Sequence, residues 1–292
     1  MRVGSRAPAT HAHRAFPRNR TAHVKSLPEQ KSVTGRSVRS QQSAPASILF
    51  GRRPVANGEL AMNSFDLFIS SFINGFVHRS IRFDTFVTWL SSNNLLKGGV
   101  VIGVVWWLWF QEDVRRVREA LMAAIIACFP ALAVARVLSW TINRPRPLNE
   151  TRYIFRVPYG GKPVWEGPSS FPSDHAVLFF ALAAGIFFAS RRTGWFVVGY
   201  VSIVICLPRI YLAEHYATDI LAGAAIGIFM AWLANVSSVR KPLTAWALRW
   251  LDKSPGSFYS FAFILTFQMA ELFDPMLETL KVAKLIIAGK LP

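Results

Sequence analysis

Residues 172–190 read PSDHAVLFFALAAGIFFAS: a proline, a helix-capping serine, an acid and a histidine, then fifteen residues with no charged side chain. Ser173 suits the N-cap position, so Asp174 and His175 fall in the first turn of a helix, where unpaired backbone N–H groups point outward. The apolar run behind them fits a bilayer crossing, for which about 20 residues are needed. Polar chemistry is thus placed at the head of a buried helix.

The same arrangement recurs downstream. Arg209, His215 and Asp219 stand in the turn between two further apolar stretches. A histidine and an aspartate at i and i+4 lie one above the other on a helix, so Asp219 can bond one ring nitrogen of His215 and leave the other free to attack. Only two of the six histidines, His175 and His215, lie beyond residue 78, and each marks the end of a predicted span.

Working outward, the predicted spans cover about 94–111, 119–140, 173–190, 194–213 and 216–235, with a shorter sixth over 257–273. This predicts an all-α integral membrane bundle of about six helices. Composition agrees: the chain is 52% hydrophobic, with 10 Trp and 23 Phe and a mean hydropathy of +0.30. Charged residues make up 17%, against about 25% for a soluble domain.

The domain reading is a basic tail over 1–61, interfacial helices over 62–92, a membrane domain over 93–273 and an amphipathic C-terminal helix over 274–292. Residues 1–61 hold eleven Lys/Arg against two Glu, lack hydrophobic periodicity and read as disordered. Their composition resembles a transit peptide. Translation from Met62 is the preferred explanation of them.

A net charge of +17 does not point to nucleic acid, because the basic residues sit in that tail or at span ends rather than on an aromatic-interleaved surface. Arg115, Arg116 and Arg118, then Arg191 and Arg192, then Arg240, Lys241, Arg249 and Lys253 fall in three loops on one side. The positive-inside rule makes that side cytoplasmic. The 141–172 loop and the 209–216 turn then share the other side. Cys128 and Cys206 sit in apolar runs, and no ligand spacing marks a metal site.

The 141–172 loop opens Asn143-Arg144-Pro145-Arg146-Pro147. Proline drives the preceding residue out of the helical region, so the second span ends here and offers guanidiniums suited to phosphate oxygens or lipid headgroups.

Arg146-Pro147, Pro172-Ser173-Asp174-His175 and Arg209-x5-His215-x3-Asp219, in this order, resemble the three-part motif of the type 2 phosphatidic acid phosphatase superfamily. The resemblance covers about residues 95–235. It implies a helical bundle and a phosphatase acting through a phosphohistidine without metal or cofactor. By the same resemblance His215 is the nucleophile, Asp219 orients it and His175 protonates the leaving oxygen. Arg146 and Arg209 hold the phosphoryl oxygens, and Ser173 with the Asp174 backbone completes the cradle.

Three positions depart from the family pattern: Ser139 stands where the family has Lys, Pro208 precedes Arg209 in place of Ser, and Asp174 replaces a common Gly. Arg136, one turn before Ser139, or else Arg144, is expected to replace the missing cation. The expected substrate is a lipid phosphate or diphosphate in the bilayer, best an undecaprenyl diphosphate in a bacterial inner membrane, hydrolysed on the non-cytoplasmic side. A phospholipid or lipid A phosphatase of the same family is the enzyme alternative. A catalytically silent lipid-binding or transport protein is the alternative from another class.

Overall fold

The computed structural model describes residues 62–111, 114–150, 153–161 and 169–287. The basic tail over 1–61 and the last residues of the 274–292 segment lie outside them. Every regular element among the described residues is helical, and the protein is an integral membrane bundle.

Two short amphipathic helices come first, α1 (Ser64–Asn74) and α2 (Ile81–Ser92). Asn63 caps α1 by accepting from the Asp66 N–H at 2.7 Å. A π-helical turn, Leu95–Gly99, then leads into α3 (Val100–Trp109). The long α4 (Val114–Thr141) ends at the Arg-Pro-Arg-Pro stretch, and α5 (Asp174–Ala189) starts on the far side of the loop. Helix α6 (Arg191–Tyr200) continues through a π-helical segment into α7 (Leu207–Tyr211). Then follow α8 (Ala217–Asn235), α9 (Ser237–Lys253), α10 (Pro255–Ala270) and α11 (Asp274–Ile287).

Among the described residues, three stretches are long and apolar enough to cross a membrane: Arg115–Thr141, Arg191–Tyr211 and Ala217–Asn235. Leu95–Trp109 and Asp174–Ala189 are apolar but shorter. At 16 residues, α5 is about 24 Å long, somewhat less than the hydrocarbon core. It is the central helix, packed on α4, α8 and α6, with Val177, Leu178, Phe179, Ala181 and Leu182 almost wholly buried. Large apolar side chains on its neighbours, including Trp140, Trp195, Phe196, Leu221, Phe229 and Trp232, stay exposed on the outside, where lipid is their natural solvent.

Helices α5 and α8 approach closely because α8 carries glycines four residues apart. A Cβ at Gly227 would stand 2.2 Å from the Val177 carbonyl oxygen, and one at Gly223 would stand 2.7 Å from that of Ser173. Small residues of this kind let membrane helices meet backbone to backbone. The result is a direct tie between the two helix starts, with Ser173 N–H donating to the Asp219 carbonyl at 3.1 Å.

The number of helices exceeds the six expected. The basic segment after the fifth predicted span is α9, not a loop, because Thr244, Ala247, Leu248 and Leu251 recur at helical spacing and bury one face. Its charged residues had masked that stripe.

Candidate active site

The ends of α2, α4, α5 and α7, with the segment leading into α8, converge on one cavity of about 660 Å³. Arg136 and Ser139 reach it from α4, Asp174 and His175 from α5, and Arg209 from α7. Arg146, Ser169, Glu214 and His215 come from the connecting segments, and Lys97 from the π-helical turn before α3. The segments are pinned to each other: Ser169 Oγ donates to the Ile142 carbonyl at 2.8 Å, and Ser170 N–H to the Arg144 carbonyl at 2.9 Å.

Hydrogen bonding assigns the tautomer of His215. Its Nδ1 lies 2.8 Å from the Ser170 carbonyl oxygen, which only accepts, so Nδ1 carries the proton. Its Nε2 lies 3.3 Å from Arg146 Nη1, which only donates, so Nε2 presents its lone pair. Asp219 stands farther away, with Oδ2 at 3.8 Å from Nδ1. That oxygen accepts from the Tyr216 N–H at 2.9 Å instead. The direct His215–Asp219 hydrogen bond expected from the i,i+4 spacing is therefore replaced by one to the Ser170 carbonyl, with the Asp219 carboxylate 3.8 Å from the ring.

Arg146 also donates to the Glu214 carbonyl at 2.9 Å. Burial draws its guanidinium down from its ordinary value, and the nearby Glu214 and Asp219 carboxylates work against that. It stays cationic regardless. Arg209 is 6% exposed and forked: Nη1 donates to Glu214 Oε2 at 2.5 Å, Nη2 to His175 Nε2 at 3.0 Å and to the Ser91 carbonyl at 3.2 Å. His175 Nε2 is accordingly an acceptor in this state.

Of the nine candidate residues, the structure brings six to the cavity: His215, His175, Arg146, Arg209, Asp174 and Arg136. Arg136 donates to Asp174 Oδ2 at 3.0 Å and is nearly half exposed. Asp219 stands just behind the lining. Ser173 is fully buried as the N-cap residue of α5, does not line the cavity, and its Oγ has no hydrogen-bond partner among the described residues. Arg144 likewise does not line the cavity. It is 1% exposed and turned away from the cavity, held at 2.5 Å by both Asp66 and Asp219.

Glu214 and Lys97 are among the lining residues that escaped sequence reasoning. Glu214 carries the Arg209 fork, and nothing but its place beside His215 hinted at that. Lys97 sits inside the predicted 94–111 span; it is 7% exposed, and its ammonium makes no hydrogen bond or close ion pair among the described residues, although the Asp274, Glu214 and Glu271 carboxylates act on it by charge. A lone lysine in an apolar run was the available signal, since intramembrane cations rarely lack a function. Among the described residues, no group of three or more His, Cys, Asp or Glu is close enough to hold a metal ion.

Residues 119–242, which include α5, α8 and most of α4, match the model of the PAP2 superfamily. The chain carries a PAP2 superfamily domain. Arg136, Arg146, His175, Arg209, His215 and Asp219 all lie in that PAP2 domain, whereas Lys97 and Asp66 precede it.

Among curated proteins, 70 residues are 37% identical to the bacitracin transport permease protein BcrC of Bacillus licheniformis, covering 23% of this chain and 34% of that one. The undecaprenyl-diphosphatase BcrC of Bacillus subtilis (strain 168) is 20% identical over 161 residues, 55% of this chain and 78% of its own. The putative undecaprenyl-diphosphatase YbjG of Escherichia coli (strain K12) is 26% identical over 152 residues, 50% of this chain and 72% of its own. The chain thus spans about a third of the first relative and more than two thirds of the others. No solved structure matches it significantly.

Proposed function

We propose that this site is a lipid phosphatase that removes a phosphoryl group from a membrane lipid phosphate or diphosphate through a phosphohistidine on His215. The observation that supports it most is the tautomer: Nδ1–H tied to the Ser170 carbonyl leaves the Nε2 lone pair directed at the cavity beside Arg146. In the first step Nε2 attacks phosphorus and the bond to the leaving oxygen breaks, with His175 giving that oxygen a proton. In the second, His175 takes a proton from water, which attacks phosphorus and releases inorganic phosphate and free His215.

Arg146, Arg209 and Lys97 would bind the phosphoryl oxygens. Their charge supplies what phosphoryl transfer chiefly needs, positioning and electrostatic stabilisation, without a metal ion. When the Arg209 fork turns to a phosphoryl oxygen, His175 Nε2 becomes available to carry a proton. Arg136, at the rim and balanced by Asp174, would meet the outer part of the headgroup.

The relatives named undecaprenyl-diphosphatase favour a polyprenyl diphosphate as substrate, its apolar tail lying in the bilayer. Arg115, Arg116, Arg191 and Arg192 sit at helix ends remote from the cavity, which supports a bacterial inner-membrane protein with the site on the non-cytoplasmic side. The test is phosphate release by purified protein from a panel of polyprenyl diphosphates, phosphatidic acid and phosphatidylglycerophosphate. Preferential turnover of the polyprenyl diphosphates is expected. Turnover of none would overturn the reading, and preference for a phospholipid would move the substrate within the same family.

A further inference from the structure

Behind the cavity, three charged side chains that do not line it form a buried chain. Asp66, in the first turn of α1, is wholly buried and its Oδ2 lies 2.5 Å from Arg144 Nη2. Arg144 Nη1 lies 2.5 Å from Asp219 Oδ1, and its guanidinium carbon stacks 4.2 Å from the centre of the Tyr216 ring. Thr218 joins both ends: its N–H donates to Asp66 Oδ1 at 3.0 Å, its hydroxyl to Asp66 Oδ2 at 2.6 Å, and it accepts from Arg144 at 2.8 Å.

Burying one guanidinium between two carboxylates carries a large desolvation cost, and such clusters are weak contributors to stability compared with apolar packing. Charge arithmetic suggests what the cluster does. Arg144 with Asp219 alone is a neutral pair and gives His215 no support. Asp66 adds a second carboxylate, so the cluster as a whole keeps one negative charge, with Asp219 Oδ2 at 3.8 Å from His215 Nδ1. That charge is needed when Nε2 bonds to phosphorus and the protonated ring becomes cationic. The ties to Thr218 also fix the first turn of α8, from which Asp219 projects.

We infer that Asp66 is a positioning residue for phosphoryl transfer, which through Arg144 fixes Asp219 and preserves a net negative charge beside His215. The inference deepens the phosphatase reading and rests on it. It also makes α1, which lies outside residues 119–242 matched by the PAP2 model, part of the working site.

The test uses the full chain in detergent, with farnesyl diphosphate as substrate and inorganic phosphate as competitive inhibitor. Wild type, Asp66→Asn, Arg144→Met and the double variant are compared. Asp66→Asn should lower kcat by about ten- to a hundredfold, the loss that follows removal of a group orienting a metal ligand and the scale expected for one orienting Asp219. KM and the inhibition constant of phosphate should stay within about twofold, because Asp66 touches nothing in the cavity. The double variant should be no slower than Arg144→Met alone, since both act along one path. An unchanged kcat in Asp66→Asn, multiplicative losses in the double variant, or loss of phosphate binding together with activity would each overturn the inference, the last by showing a folding defect. A wild type that releases no phosphate from any lipid would instead overturn the phosphatase reading and this inference with it.

Discussion

Replacing Lys97 by methionine separates function from stability. The side chain is 7% exposed, faces the cavity, and has no hydrogen-bonding or ion-pair partner among the described residues. A charge-assisted hydrogen bond to a phosphoryl oxygen contributes about 1.5–3 kcal/mol, which at about 1.4 kcal/mol per decade is roughly a ten- to a hundredfold loss in kcat/KM for Lys97→Met. Arg136 is nearly half exposed and already bonded to Asp174, so Arg136→Ala removes an interaction in the range of exposed pairs, about 0–1 kcal/mol. The order Lys97 ≫ Arg136 reverses what the spacing to Ser139 suggests. Stability should move the other way: desolvation of the buried ammonium outweighs the attraction of the Asp274, Glu214 and Glu271 carboxylates, so Lys97→Met should unfold at the same or higher temperature. Steady-state phosphate release and a thermal melt on one detergent preparation give both numbers. A kcat/KM within twofold of wild type, or a melt lowered in proportion to the lost activity, would refute the reasoning.

If Arg209 binds a phosphoryl oxygen as proposed, Glu214, which accepts from it at 2.5 Å, competes with substrate for it. Glu214→Gln should therefore tighten inhibition by inorganic phosphate several-fold, read from its inhibition constant. Gly227→Ala should destabilise strongly, since the new methyl would stand 2.2 Å from the Val177 carbonyl and must push α5 from α8; melting temperature and detergent-resistant folding report it. Turnover should be unchanged in excess EDTA, as the arginines and Lys97 already supply the charge a metal would bring, and activity lost to chelator and restored by Mg²⁺ or Zn²⁺ would contradict this.

What the sequence disclosed was local. His175, His215, Arg146 and Arg209 each flank an apolar helix, and hydropathy alone brings such ends to one surface. The helical stripe of α9 was hidden because Arg240, Lys241 and Arg249 dominate its composition, although Thr244, Ala247, Leu248 and Leu251 bury one face. Arg144 and Arg146 are two residues apart in a proline-bound stretch without periodicity, so nothing local sorts the buried arginine from the one in the cavity. Asp66 meets Arg144 across 78 positions and Thr218 across 152, separations at which spacing rules are silent. The same limit applies to the His215–Asp219 pair: i,i+4 spacing supposes a helix through both, but α8 begins only at Ala217, and Ser170 takes the ring nitrogen instead.

The central claim is the covalent step at His215, and rapid-quench trapping with a ³²P-labelled lipid diphosphate tests it most directly. The account predicts an acid-labile, base-stable phosphoryl group on His215 of the wild-type chain, formed and discharged within the turnover time. It predicts none in His215→Ala, whose turnover should fall by several orders of magnitude while the protein remains folded. Label on another residue, or substantial turnover by His215→Ala, would contradict it.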